Sequence, residues 1–284
     1  VPNARFVDTL VILGSGESDG DDPANDPMVV TDLAVTLGQT INYSQLGSLE
    51  IHGLNGDDTL QVDSSAGPVT TPLAFDGGSG SDTLQVRDAP DPNPFHEVIY
   101  APGPAVTEGR LLYKDVNNAT LMKIDFINLE PVQDNVPAAI LTVYGTGADN
   151  AIDYVQGPNS GNAASLFNGL ATGLVQVDAF ESIEFARKGT LAINGIGGSD
   201  VVNLNNSTST PANLTAITVN GGDPTGSDTV IVNGTAGNNN IAVDQLTNDG
   251  ARITGAQPVP VTVDTTEHLT IQGLGGTDNL TYTT

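Results

Sequence analysis

The residues best placed to do chemistry are aspartates that close Gly-rich turns. In LEIHGLNGDDTLQV from Leu49, Gly53 is followed five residues later by Asp58, with Asp57 beside it. The same step joins Gly77 to Asp82, Gly195 to Asp200, Gly273 to Asp278 and Gly14 to Asp19. It lengthens to seven between Gly221 and Asp228, where Asp223-Pro224 is inserted, and Asn150 and Asn239 replace Asp in two further copies. A carboxylate at such a point either accepts backbone N–H groups of its own turn or joins carboxylates of neighbouring turns around a cation. Asp57-Asp58 is the adjacent pair inside a copy and the best single metal candidate. Adjacent coils would bring Asp58 to Asp82 and Asp200 to Asp228. The loop at 17–26, with Glu17, Asp19, Asp21, Asp22 and Asp26, only faintly resembles an EF-type loop, because Pro23 interrupts the frame. It reads as a solvated acidic loop.

The elements that position these turns are short strands. On each side of the turn, apolar residues alternate, as in Leu49 and Ile51 before it and Leu60 and Val62 after it. Alternation puts those side chains on one face of a strand. Copies of this cassette begin at Leu10, Leu49, Leu73, Leu141, Leu191, Ile217, Val230 and Leu269. One cassette cannot bury its face alone, so neighbours must stack. The spacing favours an all-β solenoid, a parallel β-helix or β-roll, with coils built of two units of 12 to 13 residues. The alternative is a set of tandem antiparallel β-sandwich domains, with Asn-Gly at 194–195, 220–221 and 233–234 closing hairpins. The copies group into 1–87, 141–229 and a truncated 230–284. Residues 88–140 form a Pro-containing insertion with short strands of its own. An opening without Met and an end at Thr284, where another cassette is due, suggest a piece of a longer array.

Composition narrows the function. Eight Lys and Arg stand against 34 Asp and Glu, for a net charge of −26. Such a surface repels nucleic acid and anionic membranes, and self-repulsion makes a bound cation a natural expectation. The absence of Cys removes disulfides, thiolate catalysis and Cys-based zinc sites. No run of apolar residues is long enough to span a membrane as a helix.

GGSGSDTLQV, from Gly77 to Val86, resembles the nonapeptide of repeats-in-toxin, or hemolysin-type, calcium-binding proteins. GLNGDDTLQV from Gly53 and GIGGSDVVNL from Gly195 are similar, with the second Gly changed. More widely, LEIHGLNGDDTL, RLLYKDVNNATLMKIDFINLEPV and VIVNGTAGNNNIAV look like repeats of large secreted bacterial surface proteins. The resemblance implies an extracellular location, a structural or adhesive role in a surface layer, matrix or filament, and Ca2+ held by turn carbonyls and aspartates. Asp19, Asp57, Asp58, Asp82, Asp200, Asp228 and Asp278 are the implied ligands. Calcium takes six to eight oxygens, and carbonyls with carboxylates supply that chemistry. This chain departs from the family in that its cassettes are not in tandem.

An active site needs unlike groups in one place, and repeats offer like ones. The chain therefore reads as no enzyme. The one catalytic set to nominate is His52 with Asp57, Asp58 and Lys114 or Arg110, on a polysaccharide-active β-helix. A carbohydrate-binding module is a third reading, weakened by six Tyr and no Trp. The expected partners are further copies or neighbouring repeats, and surface polysaccharide.

Overall fold

A computed structural model describes residues 8–14, 25–222 and 226–284. The chain runs back and forth between two sheets. β1 (Thr9–Leu13) lies in the first sheet, and β2 (Pro27–Thr31), β3 (Ala34–Leu37) and β4 (Gln39–Asn42) in the second. β5 (Ser48–His52), β6 (Thr59–Asp63), β7 (Leu73–Asp76) and β8 (Thr83–Arg87) then alternate between the sheets. β9 (Glu97–Pro102), β10 (Glu108–Lys114) and β11 (Thr120–Ile127) stay in the first, followed by β12 (Val132–Asn135) in the second and β13 (Ala138–Tyr144) in the first. β14 (Ala151–Gln156), β15 (Gly173–Val177) and β16 (Ile183–Phe185) stay in the second. β17 (Lys188–Asn194), β18 (Val201–Asn205), β19 (Ala216–Asn220) and β20 (Thr229–Asn233) alternate again. β21 (Asn240–Gln245), β22 (Ala251–Thr254) and β23 (Val261–Asp264) stay in the first, before β24 (His268–Gln272) in the second and β25 (Asn279–Thr283) in the first. The sheets have 13 and 12 strands.

Strands of successive coils pair in parallel and in register, as in Leu10–Leu49–Leu73 in one sheet and Leu60–Leu84 in the other. This is the solenoid expected from the spacing, with no helix among the described residues. The in-register stacking puts Leu49, Ile51, Leu60, Val62, Leu84 and Val86 at 0% exposure between the sheets. Each such side chain contributes about 1.5–3 kcal/mol relative to exposure, which is why the alternation sets the register.

The coil is interrupted by three-stranded antiparallel meanders. In β9–β10–β11, the last strand pairs back onto β7 and the first pairs forward onto β13, both parallel. β14–β15–β16 and β21–β22–β23 do the same in alternate sheets. Two meanders share a device. Gly109 lies opposite Phe126 and Gly173 opposite Phe185, and a Cβ on either glycine would fall 2.4 Å and 2.9 Å from the facing ring. The ring covers the bare glycine of its neighbour strand.

Read by register, β13 to β24 repeat β1 to β12 strand for strand. Leu10, Leu49 and Leu73 correspond to Leu141, Leu191 and Ile217. The strands from Val230 and Leu269 lie in the second sheet and correspond to β8 and β12. They complete the second copy, and residues 88–140 supply the equivalent meander and strand of the first.

Candidate functional site

The turn aspartates form ladders along the solenoid. Oδ1 of Asp58 accepts the Asp26 N–H at 2.7 Å, and Oδ1 of Asp82 accepts the Asp58 N–H at 2.8 Å. Asp200 accepts from Asn150 at 2.8 Å, Asp228 from Asp200 at 2.7 Å, and Asp278 from Asn239 at 2.9 Å. Glu130 and Glu267 close the two longer ladders, accepting from Asp82 and Asp228. The residue before each rung runs a second ladder in the opposite direction. Asn25 Oδ1 accepts the Asp57 N–H, Asp57 Oδ1 accepts the Ser81 N–H, and Asp149 Oδ1 accepts the Ser199 N–H.

The recurring step of five has a steric cause. Asp58 Oδ2 occupies the space where Gly53 would carry a Cβ, 2.3 Å away, beside the Gly77 carbonyl at 2.4 Å. Gly195 meets Asp200 Oδ2 at 2.2 Å and the Gly221 carbonyl at 2.3 Å in the same way. Gly14 meets Asp26 Oδ2, so Asp26, the last residue of the acidic loop, stands at the first ladder position. Asp19, the expected residue, lies outside the described residues, as do Glu17, Asp21 and Asp22.

Asp58, Asp82 and Asp200 are no more than 1% exposed, and their Oδ2 atoms have no hydrogen-bond partner. Burial, and then neighbouring carboxylates, push all three above the ordinary carboxylate value, overriding the backbone hydrogen bond each accepts. Asp200 is pushed up to about 6. This donor set does not fit Ca2+. A hard cation needs six to eight oxygens, whereas each Oδ2 packs against a glycine, and Oδ1 is committed to an N–H. Among the described residues no three acidic or histidine side chains gather as a metal group.

The sharper concentration of unlike groups is a cleft of about 810 Å³ on the outer face of the first sheet. Strand register, parallel across β5, β7 and β11 and antiparallel between β11 and β10, lays two rows across it. Glu50, Ala74, Asp125 and Arg110 form one, and His52, Asp76, Ile127 and Glu108 the next. Pro102, Gly103 and Pro104 make a wall, and Ala74 leaves the floor low. His52 Nδ1 lies 3.5 Å from Asp76 Oδ2, whose other oxygen accepts from Asn128 Nδ2 at 2.9 Å. Burial raises the Asp125 carboxyl, but Arg110 and Lys123 overcome it and hold it below the usual range. Of the set nominated from sequence, His52 and Arg110 line this cleft, while Asp57, Asp58 and Lys114 do not. Lys114 instead bonds Asn118. Glu50, Asp76 and Asp125 were not legible as partners, because they meet only through the register of three strands.

The second copy supplies an internal comparison. Its equivalent rows read Ala192, Thr218, Thr262 and Arg252, then Asn194, Asn220 and Asp264. The copies keep their ladder while one face has exchanged charged groups for Ala, Asn and Thr. The scaffold does not require the cleft's charges.

Comparison with known proteins adds no relative: no protein-family model matches the chain, and neither a curated protein nor a solved structure is significantly similar to it.

Proposed function

We propose that the chain is a structural repeat module of an extracellular bacterial assembly, a surface layer, matrix or long adhesin, whose natural partner is a further coil of the same kind. The observation that carries this reading is the repetition itself: β13 to β24 repeat β1 to β12 strand for strand, and the second copy stacks on the first through the parallel pairs β12–β16 and β9–β13. Units that stack on one another in this way are the building blocks of solenoid arrays. The net charge of −26 and the absence of Cys suit an exported, soluble surface. Calcium stabilisation, implied by the resemblance, needs ligands other than the ladder aspartates. Sedimentation velocity at rising concentration tests the reading. Concentration-dependent association supports it; a strictly monomeric chain at high concentration sinks it.

A second reading, saccharide binding, is favoured by the cleft, whose His52, Asp76, Glu50 and Asp125 have no charged or titratable equivalent in the other copy. Calorimetric titration with neutral, amino and acidic oligosaccharides, repeated on His52→Ala, decides it. No heat with any of them removes it.

A further inference from the structure

Lys188 is the one described lysine with 0% side-chain exposure, and it sits against Asp134, also at 0%. Its Nζ lies 3.0 Å from Asp134 Oδ1 and also donates to the carbonyls of Val136 and Ala186. Tyr113, fully buried, donates its hydroxyl to the other carboxylate oxygen, Oδ2, at 3.2 Å. Asp134 Oδ1 further accepts the Val136 N–H at 2.8 Å.

The fold does not ask for this pair. By register, Asp134 corresponds to Ile271 of the other copy, Lys188 to Leu46 and Tyr113 to Gly255. Two partly buried apolar side chains and a glycine take their places there. A buried ion pair is often no more stabilising than apolar residues of similar volume, so its presence at one place calls for a reason beyond packing.

We propose that Lys188 and Asp134 condense to an intramolecular amide, a covalent cross-link between β17 of the first sheet and β12 of the second. The balance closes without any co-reactant. An ammonium and a carboxylate become an amide and one water. The Nζ lone pair forms the bond to Cγ, the Cγ–Oδ1 bond breaks, and Oδ1 leaves as water with two of the three Nζ protons. Tyr113 holds the charge that develops on Oδ2, which stays as the amide carbonyl, as an oxyanion-hole donor does. The remaining amide N–H keeps the Val136 carbonyl as its acceptor. Burial lowers the lysine's proton affinity, which eases release of the lone pair. Fixed contact between the partners replaces a bimolecular encounter, an advantage on the order of 10⁵–10⁸ M in effective concentration.

Electrospray mass of the full chain, unfolded in acid, tests this directly. The expected mass is that of the sequence less one water. Trypsin should then yield a branched species joining residues 124–187 to 188–252, because an acylated Lys188 is not cleaved. Lys188→Arg should give the full sequence mass. Tyr113→Phe, refolded from denaturant, should cross-link at least tenfold more slowly while reaching the same circular dichroism. An unaltered chain at its full sequence mass, cleaved after Lys188 and carrying a free amine there, overturns the proposal.

Discussion

Substituting Ala at the ladder glycines puts the steric reading to a graded test. At Gly195 the new Cβ would lie 2.2 Å from Asp200 Oδ2 and 2.3 Å from the Gly221 carbonyl, whereas ordinary contact begins near 3.4 Å. The carboxylate can swing away, but the carbonyl belongs to a neighbouring coil held by its own strand. Overpacking of this kind costs about 1–3 kcal/mol. Displacing Asp200 also breaks its hydrogen bond to the Asn150 N–H, leaving a buried donor at about 1–3 kcal/mol. The sum is roughly 2–6 kcal/mol for Gly195→Ala. At Gly145 the nearest atoms are at 2.7 and 2.8 Å, at Gly234 they are at 3.1 Å, and at Gly147 nothing lies within 4 Å. Urea unfolding should therefore rank the losses Gly195, Gly145, Gly234, with Gly147→Ala near zero or slightly stabilising. Equal losses at all four positions, or none at Gly195, would refute the idea that the carboxylate and carbonyl dictate glycine there.

The raised carboxyls predict an acid-side gain. A carboxyl whose folded value lies above its unfolded one adds stability below the unfolded value and loses it as pH rises through the folded one. Asp200, at about 6 against 3.8, should therefore make the melting temperature higher at pH 5 than at pH 7.5. Discounted for screening, that is about 1 kcal/mol, or roughly 2–4 °C. Asp200→Asn should flatten this rise in scanning calorimetry. Excess EDTA should leave the melting temperature unchanged, since the ladder aspartates do not make a hard-cation site; a fall of many degrees would show that calcium ligands exist elsewhere in the chain. Phe126→Ala should cost about 3–5 kcal/mol in chemical denaturation, more than an ordinary core truncation of equal size, because it also bares Gly109.

Strand and turn were readable because they repeat. The pairing of Gly53 with Asp58, or Gly195 with Asp200, is a local steric fact, and it recurs wherever two coils stack. The meanders were not readable. β3, with AVTL, and β10, with EGRLLYK, carry the same two-residue period as the coil strands, and periodicity does not say whether a strand crosses to the other sheet or turns back. Asp26 was missed for Asp19 because loop length is free where the strands alone set the stacking. His52, Asp76 and Asp125 lie in three coils, so only register reveals them as neighbours. Lys188 drew no expectation from sequence, because it stands just before its cassette, at the place that Leu46 holds in the other copy.

The alternation of the meanders has a mechanical meaning. Each one adds two strands to a single sheet, and strands lie about 4.8 Å apart, so one meander lengthens its side by about 10 Å relative to the other. β2–β4 and β14–β16 lengthen one side, β9–β11 and β21–β23 the opposite. The additions cancel, and 13 strands face 12. A rod that gained its meanders on one side only would bow, with its outer face stretched and its turns splayed. Placing them in turn removes that source of bowing, so the order in which coils and meanders succeed one another is a lever on the curvature of the stack.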